Sequence, residues 1–383
     1  MNQQTKIKLF DEFSEPAAVE ALVSELHLQT QSDRQYSLME FCGGHTHALF
    51  RYGLKSLLPT NIRMIHGPGC PVCVLPRGRI DSVIELLERH PEIILCTYAD
   101  LMRVPGSRQI NFIKLKAQGK NIQMVYSPFD ALVLAEKNPE KNIVFLAIGF
   151  ETTAPATATA LQMAKAKNTK NFFVYCLHLL TPPAVQQVID APDVRKMGSV
   201  VIDGFIGPGH VSAIIGSEPF EAFAKEYQKP VVIAGFTPVD MLQSLLMLVQ
   251  MINLGQPQVM NQYTRSVSKK GNAKAKEILS QVFTLRNNFD WRGLGQVPSS
   301  AYQLSPSFKE FDAEIKFNIQ DLQAKDHVAC LCGHIIRGLK QPSDCKLFGK
   351  ACTPDNPIGS CMVSSEGSCA AYFHYQPNNG STP

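Results

Sequence analysis

The chain alternates short apolar segments rich in β-branched residues with longer segments whose apolar residues recur at helical spacing. Eight segments of the first kind are predicted to be strands: YSLMEF, IRMIHG, EIILCTY, IQMVYS, IVFLAIG, FFVYCL, VVIDGFIG and VVIAGF. RIDSVIELLERH (79–90) and APATATALQMAKAK (154–167) are of the second kind and are predicted to be amphipathic helices. Strands that alternate with helices indicate an α/β fold with doubly wound parallel sheets.

The predicted elements suggest two such Rossmann-like domains, over residues 1–130 and 131–255. The segment MLQSLLMLVQMINL (241–254) is interrupted by glutamines and is predicted to be a buried helix. After residue 255 the pattern changes to a helical stretch (258–286), a loop-rich segment (291–308) and a cysteine-rich tail. We therefore expect a third, smaller domain over residues 256–383.

Composition and charge indicate which kinds of molecule the protein is expected to bind. The chain is 45% hydrophobic and 18% charged, which is typical of a globular protein with well-formed cores. Its net charge of +4 includes no dense basic stripe interleaved with aromatic residues, and TRSVSKKGNAKAK (264–276) is expected to be a solvated helix face. We therefore predict no nucleic-acid partner.

The apolar segments are short. MNQQTKIKLFDEF lacks the apolar core of a signal peptide, and segments such as IVFLAIGF (143–150) are too short to span a bilayer. These features predict a cytoplasmic protein with no membrane association.

The eleven cysteines are informative because stable disulfides are rare in a reducing compartment. Clustered cytosolic cysteines more often bind metal or carry out redox chemistry. Cys96 and Cys176 lie inside apolar strand segments and are expected to be core residues. The other nine fall in two groups, Cys42, Cys70 and Cys73 near the start and Cys330, Cys332, Cys345, Cys352, Cys361 and Cys369 in the last 54 residues.

The motif CGGHTH (42–47) combines a thiol, two glycines and two histidines. A thiolate is a soft metal ligand and a nucleophile, and an imidazole binds metal or moves a proton. Gly43 and Gly44 are expected to let the backbone turn sharply and approach a ligand. A structural alternative, in which the histidines cap the following helix, remains open.

The motif CPVC (70–73) brings two sulfurs close enough to form a disulfide or to chelate one ion. A helix predicted to start near Arg79 would favour the thiolate of the first cysteine through its dipole. No second C-x-x-C or histidine pair follows, as a structural zinc site would require. Cys70 and Cys73 are therefore predicted to be a redox pair or an open metal site.

The tail shows the spacing C-x12-C-x6-C-x16-C through Cys332, Cys345, Cys352 and Cys369. Four thiolates on a chain segment rich in proline and glycine, with little core of its own, suit an iron–sulfur cluster. Zinc and disulfides remain alternatives at this point. Cys330 and Cys361 are either a redox pair beside the cluster or bystanders.

Several polar motifs follow predicted strands, where open α/β sheets gather their ligands. This placement is expected to bring together Cys42, His45, Cys70, Cys73, Glu151, Thr152, Thr153 and His210 in one cleft. The sequence contains no phosphate-binding P-loop, no G-x-G-x-x-G after a strand and no C-x-x-x-C-x-x-C motif of radical enzymes.

Five segments together resemble the HypD family of [NiFe] hydrogenase maturation factors. They are FCGGHTHALFRYG, HGPGCPVCVLP, AIGFETTAPATA, GFIGPGHVS and the tail from CGHIIRG to CMVSSEGSCAAY, in order over residues 36–375. The resemblance implies a redox-active scaffold that assembles the Fe(CN)2CO moiety with a HypC-type chaperone. It also implies that cyanide comes from HypE, that the hydrogenase large subunit is served indirectly, and that a [4Fe-4S] cluster sits in a third domain.

The resemblance also implies site residues. Cys42 is the expected iron ligand. Cys70 and Cys73 are expected to form a thiol pair at the same cleft and to be further metal ligands. His45 lies in the Cys42 motif. The cluster ligands would be Cys332, Cys345, Cys352 and Cys369. His334 departs from the acidic residue common after CG in the family but is no proposed ligand. The competing functions are a cluster-dependent thiol–disulfide reductase of the thioredoxin-reductase type and a structural zinc protein.

Overall fold

The computed structural model describes residues 15–190 and 202–375. Its strands, in chain order, are β1 (Tyr36–Glu40), β2 (Ile62–His66), β3 (Ile94–Thr97), β4 (Ile122–Met124), β5 (Ile143–Gly149), β6 (Phe172–His178), β7 (Gly204–Pro208), β8 (Val231–Ala234), β9 (Val259–Asn261), β10 (Phe283–Leu285), β11 (Asn288–Trp291), β12 (Gly295–Pro298) and β13 (Tyr302–Leu304).

The α-helices of the described residues are α1 (Pro16–Gln29), α2 (Gly43–Arg51), α3 (Pro71–Val74), α4 (Arg77–Arg89), α5 (Phe112–Ala117), α6 (Pro128–Lys137), α7 (Ala154–Ala166), α8 (Thr181–Asp190), α9 (Gly209–Ile215), α10 (Pro219–Tyr227), α11 (Pro238–Leu254), α12 (Ala273–Val282), α13 (Ala313–Lys316), α14 (Cys332–Ile335) and α15 (Ser368–Tyr375). Short 3₁₀ turns cover Leu54–Ser56, Asp100–Arg103, Pro306–Phe311, Pro342–Asp344 and Ser360–Met362.

The first nine strands form two parallel sheets. One has five strands in the order β2-β1-β7-β8-β9, and the other has four in the order β4-β3-β5-β6. All eight predicted strands are present, and β9 is an additional one. The prediction for VVIDGFIG begins at residues 200 and 201, which lie outside the described residues, and the strand there starts at Gly204.

The strands are not grouped into sheets in chain order. The five-stranded sheet contains β1, β2 and β7–β9, whereas the four-stranded sheet contains β3–β6. Because β3 pairs with both β4 and β5, a boundary at residue 130 would divide the four-stranded sheet.

Both faces of the four-stranded sheet are buried, which explains why its strands read as continuous apolar runs. In β5, alternate residues pack into different cores: Val144, Leu146 and Ile148 into one, and Ile143, Phe145 and Ala147 into the other. Helices α6 and α7 contribute to the second of these cores. The α/β class with parallel sheets flanked by helices is confirmed.

The segment after residue 255 differs from its prediction. Only Ala273–Val282 of the predicted helical stretch 258–286 is helical, because Asn272 caps a helix start there and the flanking residues form β9 and β10. The helix predicted over 241–254 is confirmed within α11. In the part of the chain that the structure describes, no helix is both long and apolar enough to cross a membrane.

The cysteine-rich segment shares a core with the four-stranded sheet. Ile335, Cys361 and Cys369 belong to the same buried cluster as Cys73 and Leu146. The tail is therefore packed onto the α/β body, and this packing brings its cysteines toward the CPVC motif.

Candidate functional site

Cys42 lies two residues after the end of β1 and immediately precedes helix α2. It is buried, with 7% of its surface exposed. Gly43 and Gly44 are helical residues, so the sharp turn expected of them is not what the structure shows. They instead allow close packing, since a Cβ on Gly43 would collide with Glu366 and one on Gly44 with the ring of Phe236.

A buried carboxylate lies beneath Cys42. Glu40, the last residue of β1, accepts hydrogen bonds from the Cys42 backbone N–H (2.9 Å), from His66 Nδ1 (2.9 Å) and from the Thr46 hydroxyl. Its exposed fraction is only 1%. A buried carboxylate needs such partners to offset its lost hydration, and the three bonds hold the start of α2 against the ends of β1 and β2.

The Cys42 sulfur lies in a mixed polar environment. His210 Nδ1 is 4.0 Å from its Sγ, and the His210 ring stacks on Phe236 with centroids 3.8 Å apart. Burial raises the pKa of the Cys42 thiol, and the nearby Glu366 and Glu40 carboxylates raise it further. Cys42 and His210, predicted to share a cleft, are brought together.

His45 is fully buried inside α2 and does not cap that helix. Its Nε2–H donates to the carbonyl of Ala234 at the end of β8 (3.1 Å), and its ring stacks on Phe236. Burial lowers the pKa of His45 to about 4, so the ring is neutral at physiological pH. Its Nδ1 is buried and has no partner among the described residues.

Cys70 and Cys73 form a disulfide, with Cα atoms 5.2 Å apart. Cys70 is the N-cap of the single-turn helix α3, and its sulfur accepts a hydrogen bond from the Cys73 N–H (3.2 Å). Both cysteines are buried. They line a small cavity together with Gly43, which follows Cys42, and Gly69, which lies against the Cys42 backbone. Its lining also includes Thr46, Gly67, Glu366 and Ser368.

Six cysteines of the tail line a second cavity. These are Cys330, Cys332, Cys345, Cys352, Cys361 and Cys369, and the remaining lining is largely apolar, with Ile335, Leu347, Phe348 and Met362. The thiol of Cys332 interacts with those of Cys330 and Cys361, and the thiol of Cys361 also interacts with that of Cys369. Sulfur donors in an apolar enclosure have the chemistry that a thiolate-bound iron–sulfur cluster requires.

Within residues 15–190 and 202–375, no group of three or more His, Cys, Asp or Glu side chains is arranged to hold a single metal ion. The cavity includes all four cysteines of the C-x12-C-x6-C-x16-C spacing together with Cys330 and Cys361.

Cys361 connects the two cavities, because it lines both of them. The neighbouring Ser360 donates a hydrogen bond from its hydroxyl to the carbonyl of Cys73 (3.0 Å). The tail cysteines and the CPVC disulfide are thus directly adjacent, which the spacing of the cysteines along the chain could not show.

Some residues predicted to share the cleft lie elsewhere. Glu151 is buried and accepts hydrogen bonds from the backbone N–H and the hydroxyl of Thr181, at the start of α8. Thr153 lines a neighbouring cleft beside Pro71 and Glu366. Thr152 is exposed and lines none of the cavities described above. The core positions predicted for Cys96 and Cys176 are confirmed, since both are at most 1% exposed.

Sequence reasoning missed Glu40, His66 and Glu366. The sequence did contain a sign of Glu40, because a carboxylate at the end of an apolar strand and two residues before a cysteine is unusual. Glu366 had none, since only tertiary packing brings it from the tail to Gly43.

Comparison with known proteins shows which family the chain belongs to. Residues 17–376 match the family model described as HypD: Hydrogenase formation hypA family. The chain is 55% identical over 369 residues to hydrogenase maturation factor HypD2 of Bradyrhizobium diazoefficiens, covering 96% of this chain and 97% of that protein. It is 54% identical to HypD of Rhizobium leguminosarum bv. viciae, over 96% of each chain, and 44% identical to HypD of Escherichia coli K12, over 97% and 98%. The chain therefore belongs to the HypD family of hydrogenase maturation factors.

Proposed function

We propose that the protein is the cytoplasmic scaffold on which the Fe(CN)2CO moiety of a [NiFe] hydrogenase is assembled. The observation that carries this proposal is the position of Cys42, a buried thiol near a strand end whose neighbour Gly43 lines a cavity with the CPVC pair. A HypC-type chaperone would share the iron, HypE would supply cyanide, and the hydrogenase large subunit would receive the product indirectly.

Cys42 supplies the soft donor. Low-spin iron that carries cyanide and carbonyl ligands favours thiolate sulfur. The Cys42 N–H donates to Glu40 and the Gly43 N–H donates to the carbonyl of Gly69, so the backbone that carries the sulfur is fixed before iron arrives. Such preorganisation reduces the ordering cost of binding.

Cys70 and Cys73 supply reversible two-electron chemistry. Breaking their S–S bond takes up two electrons and two protons and yields two thiols, and re-forming the bond returns them. Because the pair lines the cavity next to Cys42, electrons exchanged there are available to the step that attaches cyanide. We assign proton handling near Cys42 to His45, which is neutral and whose Nδ1 has no partner among the described residues; the burial that lowers its pKa to about 4 makes it a weak base.

The tail cysteines would hold a [4Fe-4S] cluster through Cys332, Cys345, Cys352 and Cys369. When bound, such a cluster supplies one-electron redox chemistry. Cys361 lies between that cavity and the CPVC pair, so this chain provides a sulfur at the point where the two redox sites approach each other.

The deciding experiment uses infrared spectroscopy on protein purified anaerobically with its HypC-type partner. Cyanide and carbonyl stretches should appear in the wild-type complex and disappear in Cys42→Ala, because the donor that retains the iron is gone. Cys96→Ala is the matched control, since it removes another buried thiol and should keep the bands. A Cys42→Ala complex with the full set of bands would show that Cys42 is not the ligand.

A second candidate function, a cluster-dependent thiol–disulfide reductase, is favoured by the contact between the CPVC motif and the tail. Ser360 donates to the carbonyl of Cys73, and the next residue, Cys361, lines both cavities. Such an enzyme would reduce a disulfide acceptor with repeated turnover in the absence of any partner protein. Steady-state assays with the isolated protein distinguish the two functions.

A further inference from the structure

Arg292 is a buried charged residue with no part in the chemistry described above. It follows β11 in the segment WRGLGQVP and is only 5% exposed. Burying a guanidinium is unfavourable unless its N–H groups are paired. The partners of its N–H groups therefore show which parts of the structure Arg292 holds together.

Arg292 contacts the end of the CPVC turn twice. Its backbone N–H donates to the carbonyl of Val74 (2.7 Å), and its Nε–H donates to the carbonyl of Leu75 (3.1 Å). These carbonyls follow Cys73 directly. Main chain and side chain of Arg292 thus fix the turn that carries both sulfurs.

The same residue contacts the cysteine-rich tail on its other side. Its Nη1 lies 3.0 Å from a carboxylate oxygen of Asp326, four residues before Cys330. The next residue, Gly293, has a φ of +79° and approaches Gly333 so closely that a Cβ would lie 2.7 Å from the Gly333 Cα. Arg292 and Gly293 therefore lie between the CPVC motif and the residues around Cys332.

We propose that Arg292 is a positioning residue that sets the redox equilibrium of the Cys70–Cys73 pair. The inference rests on the proposed redox role of that pair. Reduction breaks the S–S bond and places two electrons on the sulfurs, and in the form that has bound one proton, with one thiol and one thiolate, a buried positive charge nearby stabilises the reduced pair. Arg292 Nη2 is also buried without a partner among the described residues, and a neighbour that gains negative charge would offset that cost.

The test is a redox titration of the full-length protein in dithiothreitol buffers, in which the pair is reduced as the dithiol closes to its cyclic disulfide. Alkylation followed by mass spectrometry gives the fraction of Cys70 and Cys73 that is reduced. Arg292→Met removes the charge and should lower the equilibrium constant for reduction about tenfold, which is about 30 mV for two electrons. Arg292→Lys keeps a charge and should shift it less.

Asp326→Asn separates the effect of charge from that of structure. It removes the countercharge of Arg292 (3.0 Å), which Arg77 shares at the longer distance of 4.0 Å, and leaves the bonds to Val74 and Leu75. The pair should therefore become easier to reduce, opposite to Arg292→Met. A merely structural role would not reverse the sign. If Arg292→Met fails to fold, as judged by far-UV circular dichroism, the Asp326→Asn shift decides the question.

The outcomes separate this inference from the proposed function. A wild-type pair that titrates while neither variant shifts its equilibrium overturns the role of Arg292 alone. A wild-type pair that stays oxidised at every accessible potential overturns the redox function and this inference together.

Discussion

At the scale of single residues, the site depends on buried polar groups whose partners come from different elements. Glu40 is the central example, since it joins Cys42, Thr46 and His66. His45 is a second, with Nε2 bonded to Ala234 and its ring against Phe236. Such groups stabilise the fold only while they are paired, so substitutions there should affect stability and site geometry together.

Glu40→Gln is predicted to destabilise the protein by about 2–4 kcal/mol, because the amide cannot accept all three hydrogen bonds in a buried setting. Urea denaturation measures the change. The matched control is Glu85→Gln, which removes a half-exposed ion pair with Arg89 and should change the free energy of unfolding by less than about 0.5 kcal/mol. Equal effects of the two substitutions would mean that Glu40 does not hold the site together.

At the scale of elements, the ends of the parallel strands carry the polar chemistry, and short helices orient it. Cys42 is the N-cap of α2 and Cys70 the N-cap of α3, so each of these sulfurs stands at a helix start after a strand or its loop. Glu151 plays a different part at the end of the other sheet, where it caps α8 through Thr181.

Burial raises the pKa of Glu151 from its ordinary value of 4.5 to about 7. The folded protein therefore binds more protons than the unfolded chain between these pH values, and the contribution of Glu151 to stability, complete below pH 4.5, is lost as the pH rises through 7. Glutamine does not titrate. The stability of Glu151→Gln relative to wild type should therefore increase by about 3 kcal/mol over this interval.

Denaturation of both proteins at matched pH values tests this prediction, since all other titrating groups cancel in the difference. A difference that is independent of pH would show that Glu151 is ionised throughout the range.

At the scale of the whole molecule, the cysteine-rich tail is continuous with the α/β body. Its buried residues share the core of the four-stranded sheet, and Arg103 donates to the carbonyl of Val363 in the tail (2.6 Å). Whatever organises the tail cysteines should therefore stabilise the sheet as well, because binding to the folded state alone shifts the unfolding equilibrium.

Cys345→Ala is predicted to bleach the brown colour of anaerobically purified protein, reduce its iron from about four per chain, and lower its melting temperature. Iron analysis, visible absorbance and calorimetry measure these three effects. Cys176→Ala, the same chemical change in the core of the sheet, should retain the iron. A colourless wild-type protein that contains one zinc would exclude the cluster.

The sequence by itself determined the α/β class, eight strands and the cysteine motifs. It did so because strand burial and helical periodicity are local properties, visible over a few consecutive residues. The burial of Cys96 and Cys176 was predictable for the same reason. The C-x-x-C spacing likewise places Cys70 and Cys73 within bonding distance through local geometry.

Only the tertiary structure decided how these pieces are grouped. Pairing of β1 with β7 joins strands more than 150 residues apart, and no local pattern encodes which parallel strands become neighbours. The contact of Glu366 with Gly43, and the position of Cys361 between two cavities, depend on how the tail packs against the sheets. Chemistry carried by contiguous residues was therefore predictable, whereas chemistry that arises from distant segments became visible only once the chain was folded.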